Sequence, residues 1–183
     1  MTEETARPAT ALPARSGGFS LAEVLIAVSL LGVILLALFG LISAGVRRAY
    51  GGKKMTQGTV IAQTVMERAN TYAPQDLLGA AGTATTATRT WSRVGATTTP
   101  AAESGTSTPV VERNAWRTML ATADLPSTAG NPATLTVTMT PVPSGRTFAT
   151  ATMVRVVVDL TWFDFGTRRR QVRLQTMNLP VTP

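Results

Sequence analysis

The chain has 183 residues, a formal net charge of +7, 44% hydrophobic residues, and neither cysteine nor histidine. Without cysteine there are no disulfides and no thiol chemistry, and without histidine the usual general base and zinc ligand are missing, so most enzyme classes are disfavoured and no catalytic residue, metal or cofactor is expected. A chain of this size holds one long apolar segment and one modest domain. That domain is rich in Thr, Ala, Val and Pro with few aromatics, and a thin core is expected.

In chain order, a polar leader comes first, with Arg7 and Arg15 balanced by Glu3 and Glu4, ending in Gly17-Gly18. Phe19-Ser20-Leu21-Ala22-Glu23-Val24-Leu25-Ile26-Ala27-Val28 then opens an apolar run almost free of charge until Arg47. In an ordinary secretory signal the apolar run precedes the cleavage point; here the expected cut, after Gly18, precedes the run, which is therefore kept. Residues 19–46 are long enough for a tilted membrane span, which needs about 20 apolar residues. Glu23 stands in the first turn of that span. A charge at the centre of a bilayer costs roughly 2.5 kcal/mol or more, less near an interface, so a carboxylate there is read as functional. The plainer reading is a helix N-terminal acid at headgroup level that pairs with nothing.

The block Gly18, Phe19, Leu21, Glu23 and Val24, with its apolar follow-on, resembles the prepilin signature of type IV pilins, minor pilins and type II secretion pseudopilins. The resemblance implies a type IV pilin-like α+β fold, a long N-terminal α-helix packed on a C-terminal antiparallel β-sheet. It also implies that an inner-membrane aspartic prepilin peptidase cuts after Gly18 and methylates the new amino group of Phe19. Glu23 would then neutralise the terminal amine of a neighbouring subunit during assembly. The physics agrees, since opposite charges attract strongly in a low dielectric and a helix N-terminus favours an anion. The implied partners are the peptidase, other pilins or pseudopilins met through the N-terminal helix, and an inner-membrane assembly platform. The implied location is a single pass through the bacterial inner membrane with the C-terminal domain outside the cytoplasm, followed by a pilus or pseudopilus. Many pilins close their C-terminal region with a disulfide, which this chain cannot form. The positive-inside rule points the other way, because Arg47, Arg48, Lys53 and Lys54 follow the span while the leader is balanced.

From Met55 to Tyr72 the apolar positions Val60, Ile61, Val65, Met66, Ala69 and Tyr72 recur at near-helical spacing. One helix from Phe19 to about Ala73 is expected, roughly 80 Å long at 1.5 Å per residue, ended by Pro74. Residues 47–74 form its amphipathic half, with bending expected at Gly51-Gly52. Many major pilins carry a proline where Gly40 stands, which points to a minor pilin or pseudopilin. Residues 75–133 are expected to be a Thr/Ala/Pro-rich variable loop region, in which the low-complexity stretch from about Gly79 to Pro109 is a mobile surface loop, glycosylated at most incidentally, with a strand or short helix near Trp91 to Val94.

Residues 134–183 read as antiparallel β-structure of three or four strands: Leu135, Val137 and Met139 alternate with threonines, and Val156, Val158, Leu160 and Trp162 continue the pattern. Phe165-Gly166-Thr167 is read as a turn, after which Val172, Leu174 and Thr176 carry the pattern to Leu179-Pro180. The valine-rich strand ending in Trp and an acid before a glycine turn is similar to the closing hairpin of PilV-type minor pilins and I-type pseudopilins.

Asp159 and Asp164 differ by an odd number, so on one strand they point to opposite faces and cannot form a dyad or a calcium site. Arg168, Arg169, Arg170 and Arg173, near Trp162 and Phe163, could contact a polyanion such as nucleic acid through phosphates and stacking. A solvated edge whose charges deter sheet-to-sheet pairing outweighs that reading. Two other classes remain: an exported periplasmic domain with a conventional signal peptide cut near Ser43-Ala44-Gly45, and a membrane-anchored enzyme, which has neither His, Cys nor an acid pair to support it.

Overall fold

The computed structural model describes residues 18–79, 81–164 and 168–178. The expectations for the leader, including Gly17, Arg7, Arg15, Glu3 and Glu4, for the turn at Phe165-Gly166-Thr167 and for the chain end at Leu179-Pro180 lie outside the described residues. In chain order the elements are α1 (Leu21–Ala69), α2 (Pro74–Leu78), β1 (Ala87–Val94), β2 (Thr97–Thr99), α3 (Thr108–Thr122), β3 (Ala133–Val142), β4 (Met153–Asp164) and β5 (Arg168–Asn178). All neighbours in the five-stranded sheet, ordered β2-β1-β3-β4-β5, are antiparallel. This is the expected α+β, type IV pilin-like arrangement of a long N-terminal helix and a C-terminal antiparallel sheet. By its contacts the chain divides after Val46 into two units, Met1–Val46 and Arg47–Pro183.

In the first unit the helix is apolar on every side and exposed throughout its described turns, apart from a half-buried Ser43. In the second unit α1 turns amphipathic. Ile61, Ala62, Val65, Met66 and Ala69 recur every three or four residues and enter one core with Leu135, Val137 and Met139 of β3 and with Val154, Val156, Val158, Leu160 and Trp162 of β4. α1 meets the sheet closely at Gly58, where an added Cβ would lie 2.7 Å from Cη2 of Trp162. Because that indole is buried, it has little room to yield. Gly58→Val should therefore destabilise the domain by about 2 kcal/mol, within the usual range for overpacking, seen as a lowered thermal midpoint of the full chain in detergent, while Gly52→Ala, with no atom in reach, should not.

The helix is shorter than the sequence predicts. It ends at Ala69, and Pro74 opens α2 instead of merely stopping α1. Proline suits the first turn of a helix, where its missing N–H has no partner to lose, and burial of Leu77 draws α2 onto the core.

The larger correction concerns residues 75–133, which hold α2, β1, β2 and α3 where a variable loop region with at most a strand or short helix near Trp91 to Val94 is expected; that one element is β1. β1 pairs with β3 from Ala87↔Met139 to Arg93↔Ala133, so the sheet starts well before residue 134 and has five strands. Threonine is β-branched and fits a strand whose other face is buried. Burial of Trp91 on β1 and of Trp116 and Leu120 on α3 anchors the segment. The two indoles meet edge to face with centroids 5.7 Å apart. The core is therefore less thin than the composition suggests, because all three tryptophans are at most 1% exposed.

Charged side chains tie these elements together. Glu103 accepts hydrogen bonds from Arg113 on α3 and pairs with Arg89 on β1, while Arg113 also donates to the carbonyls of Asp76 and Leu77 at 3.2 and 2.9 Å. The hydrogen bonds from Arg113, and the charge of Arg89 beside it, hold the Glu103 carboxyl below the usual carboxylate range. A lowered folded-state value means that this stabilisation is present above the ordinary value of 4.5 and is lost as pH falls through the folded value. Glu103→Gln should cost about 2 kcal/mol at neutral pH, as expected for hydrogen bonds to charged groups, and flatten the loss of stability on acidification, which denaturant titrations at pH 7 and pH 3 would read.

Lys54, one of the basic residues that follow the span, is 1% exposed, paired with Asp124 and held over the ring of Tyr50 at 4.6 Å.

Candidate cleavage and assembly site

The scissile bond proposed between Gly18 and Phe19 precedes the helix, since α1 begins at Leu21, and both residues are exposed. A non-helical, exposed peptide is what a peptidase needs in order to bind backbone in extended form. Ser20 starts the helix: its hydroxyl accepts the Glu23 N–H at 3.2 Å, and its carbonyl accepts the N–H groups of Glu23 and Val24 at 3.0 and 3.2 Å. Ser20-Leu21-Ala22-Glu23 thus has the spacing of a capping box, in which the N-cap hydroxyl satisfies one orphan donor and the acid three residues on reaches back to another. Only the serine half is made. Among the described residues the Glu23 carboxylate has no partner, so the acid is left available. The sequence reading identified Glu23 and missed Ser20, although the serine-to-glutamate spacing signals the cap.

Phe19, Glu23 and Ala27 follow one another at intervals of four along the chain and, with Val24, Val28 and Leu31, line an open groove of about 460 Å³. Behind it Leu36 is 74% and Phe39 71% exposed. Among the described residues, none in the most apolar 18-residue window of α1, with mean hydropathy 3.0, is buried. A surface this apolar is stable only against lipid or other helices. The hydroxyl of Ser29 is satisfied within the helix by the Leu25 carbonyl at 2.8 Å, which lessens its cost in hydrocarbon.

The family model of the prokaryotic N-terminal methylation motif matches residues 13–39, which include the proposed scissile pair, Glu23 and most of the apolar run. The match supports a type IV prepilin-like protein. No curated protein and no solved structure matches it. The motif implies processing by prepilin peptidase and assembly with other pilins, and with the apolar helix it fits anchoring in a membrane.

Elsewhere in the chain, the four arginines expected to act together are divided. In the register of β4 and β5, Arg168 lies opposite Asp164 and Arg170 opposite Trp162, whereas Arg169 lies opposite Phe163 and Arg173 opposite Asp159. Cross-strand partners share a face. Arg168 and Arg170 therefore lie on the helix side of the sheet, and Arg169 and Arg173 on the outer side. Asp159 and Asp164 fall on opposite faces, as their odd spacing predicts. The outer side carries a trough lined by Thr134, Thr136, Thr138 and Thr140 together with Asp159, Arg169 and Arg173. Neighbouring hydroxyls pair across strands, as in Thr90 with Thr136 at 3.1 Å, and Gln171 donates to Asp159 at 2.6 Å.

Proposed function

We propose that the chain is a minor pilin or pseudopilin, a structural subunit and not an enzyme. On this reading it is stored as a single-pass protein of the bacterial inner membrane with its C-terminal domain outside the cytoplasm. An inner-membrane assembly platform then draws it into a type IV pilus or a type II secretion pseudopilus. The observation that carries the reading is the carboxylate of Glu23, without a partner among the described residues, one helical turn past the exposed Gly18-Phe19 bond on an apolar helix that the described residues leave uncovered. Cutting that bond would create an amine on Phe19 next to the acid of a neighbouring copy, and the surrounding apolar side chains would strengthen the attraction. Glycine in place of proline at position 40 supports a minor subunit over the main filament protein. So does the closing strand with Trp162, Phe163 and Asp164. A place near the filament tip, priming assembly, follows from the same two features.

Mass spectrometry of the mature protein tests this. An N-methylated chain starting at Phe19 is expected; a chain starting at Val46 would instead mark a conventional signal peptide and overturn the reading. The division of the C-terminal arginines between two sheet faces tells against a DNA-binding minor pilin, because fewer cations reach any one phosphate strand.

A further inference from the structure

Arg47 and Arg48 meet Arg168 and Arg170 across the end of the sheet. The two pairs, more than a hundred residues apart in sequence, line one open groove of about 400 Å³ whose floor is Gly51 and Gly52 of α1. Gly51 is closely fitted: a Cβ there would lie 3.3 Å from Oδ2 of Asp164 and 3.9 Å from Nη2 of Arg170. Asp164 is 3% exposed and pairs with Arg170 at 3.4 Å. Among the described residues Arg47, Arg48 and Arg168 have no acidic partner, so the groove presents more cations than it neutralises.

We propose that this groove binds the phosphate of an anionic phospholipid in the leaflet beside the C-terminal domain. The inference rests on the reading above only in taking residues 19–46 into a bilayer. Arg47 directly follows that apolar stretch in the same helix, so wherever the stretch is embedded Arg47 and Arg48 stand at headgroup level. There the arginines are attracted by the negative surface, at a local headgroup concentration no soluble anion reaches. The same surface repels nucleic acid, which makes a lipid phosphate the favoured occupant. The binding also gives a use to positive charge on the side of the span where the positive-inside rule does not expect it.

The test uses the full chain in neutral detergent, with bound lipid counted by native mass spectrometry during titration with short-chain phosphatidylglycerol, phosphatidylcholine or inorganic phosphate. Phosphatidylglycerol should be retained in preference to the other two. Combining Arg47→Gln, Arg48→Gln and Arg168→Gln should weaken retention on the order of 100-fold, about fivefold per arginine near an anionic surface. Arg170 is kept in that variant so that Asp164 retains its partner, and an unchanged circular dichroism melt confirms the fold. Arg169→Gln with Arg173→Gln, on the outer face, should leave retention as it was. Equal retention of both lipids, displacement of the lipid by an equal concentration of phosphate, undiminished binding by the triple variant, or capture of duplex DNA in place of lipid would each overturn the proposal. Methylation of Phe19 and entry into filaments, measured on the same protein, separate the two readings: a processed, assembled subunit without lipid preference defeats the lipid site alone, and a lipid-binding chain never cut after Gly18 defeats the pilin reading alone.

Discussion

Glu23→Ala should leave the protein in the membrane fraction and reduce its entry into filaments on the order of 100-fold. A unit-charge pair 4 Å apart is worth about 4 kcal/mol at an effective dielectric constant of 20, and desolvation offsets part of it. Insertion should not suffer, because the substitution removes a charge that hydrocarbon disfavours. Glu23→Gln separates charge from shape: it keeps the length and hydrogen-bonding capacity of the side chain, so a loss as large as that of alanine would assign the effect to the anion. The readout is the ratio of this subunit in sheared filaments to that in membranes, by immunoblot. Undiminished incorporation of both variants would remove the proposed role of Glu23, except for a subunit at the extreme tip with no copy ahead of it. That case is recognised by labelling confined to filament ends.

Trp116→Ala should remove most of the stability of the domain. Truncating a buried tryptophan costs about 3–5 kcal/mol, against a total of about 5–15 kcal/mol for a typical domain. Trp116 is fully buried and meets Trp91 edge to face, so the change loosens α3 from β1 and with it the segment around Glu103. Trp116→Phe should cost far less. It loses part of the ring but also discards an indole N–H that is buried without a partner among the described residues. Urea titration of the full chain in detergent, followed by tryptophan fluorescence, would rank wild type, phenylalanine and alanine in that order. An alanine variant as stable as wild type would mean that α3 contributes little to the core.

The parts legible in the sequence are those in which one periodicity runs without interruption. The apolar run with its lone acid led directly to the helix and the candidate site. The alternation from Leu135 to Met139 and from Val154 to Trp162 placed β3 and β4 within a residue or two. β1 was nearly hidden because Ala87 and Trp91 are its buried positions and small or polar residues fill the rest, so that composition resembled a linker. α3 was hidden for a different reason. Its buried face is Arg113, Trp116 and Leu120, and an arginine in an apolar register breaks the pattern unless Glu103, ten residues earlier, is known to meet it. Long-range partners likewise decided the fates of Lys54, taken out of solvent by Asp124, and of the C-terminal arginines, whose alternation along β5 sends two to each face. Strand alternation alone could have shown that last division.

Among the described residues, every apolar side chain of the core lies at or beyond Ile61, and the earliest buried polar one is Lys54. The two units can therefore accumulate substitutions on separate terms. A change before Val46 answers to lipid and to neighbouring helices, and a change after it answers to the interior of one domain. A fragment starting at Arg47 would still contain the whole of that interior. Evolution can thus vary the surface of the second unit while leaving the apolar segment of the first unchanged.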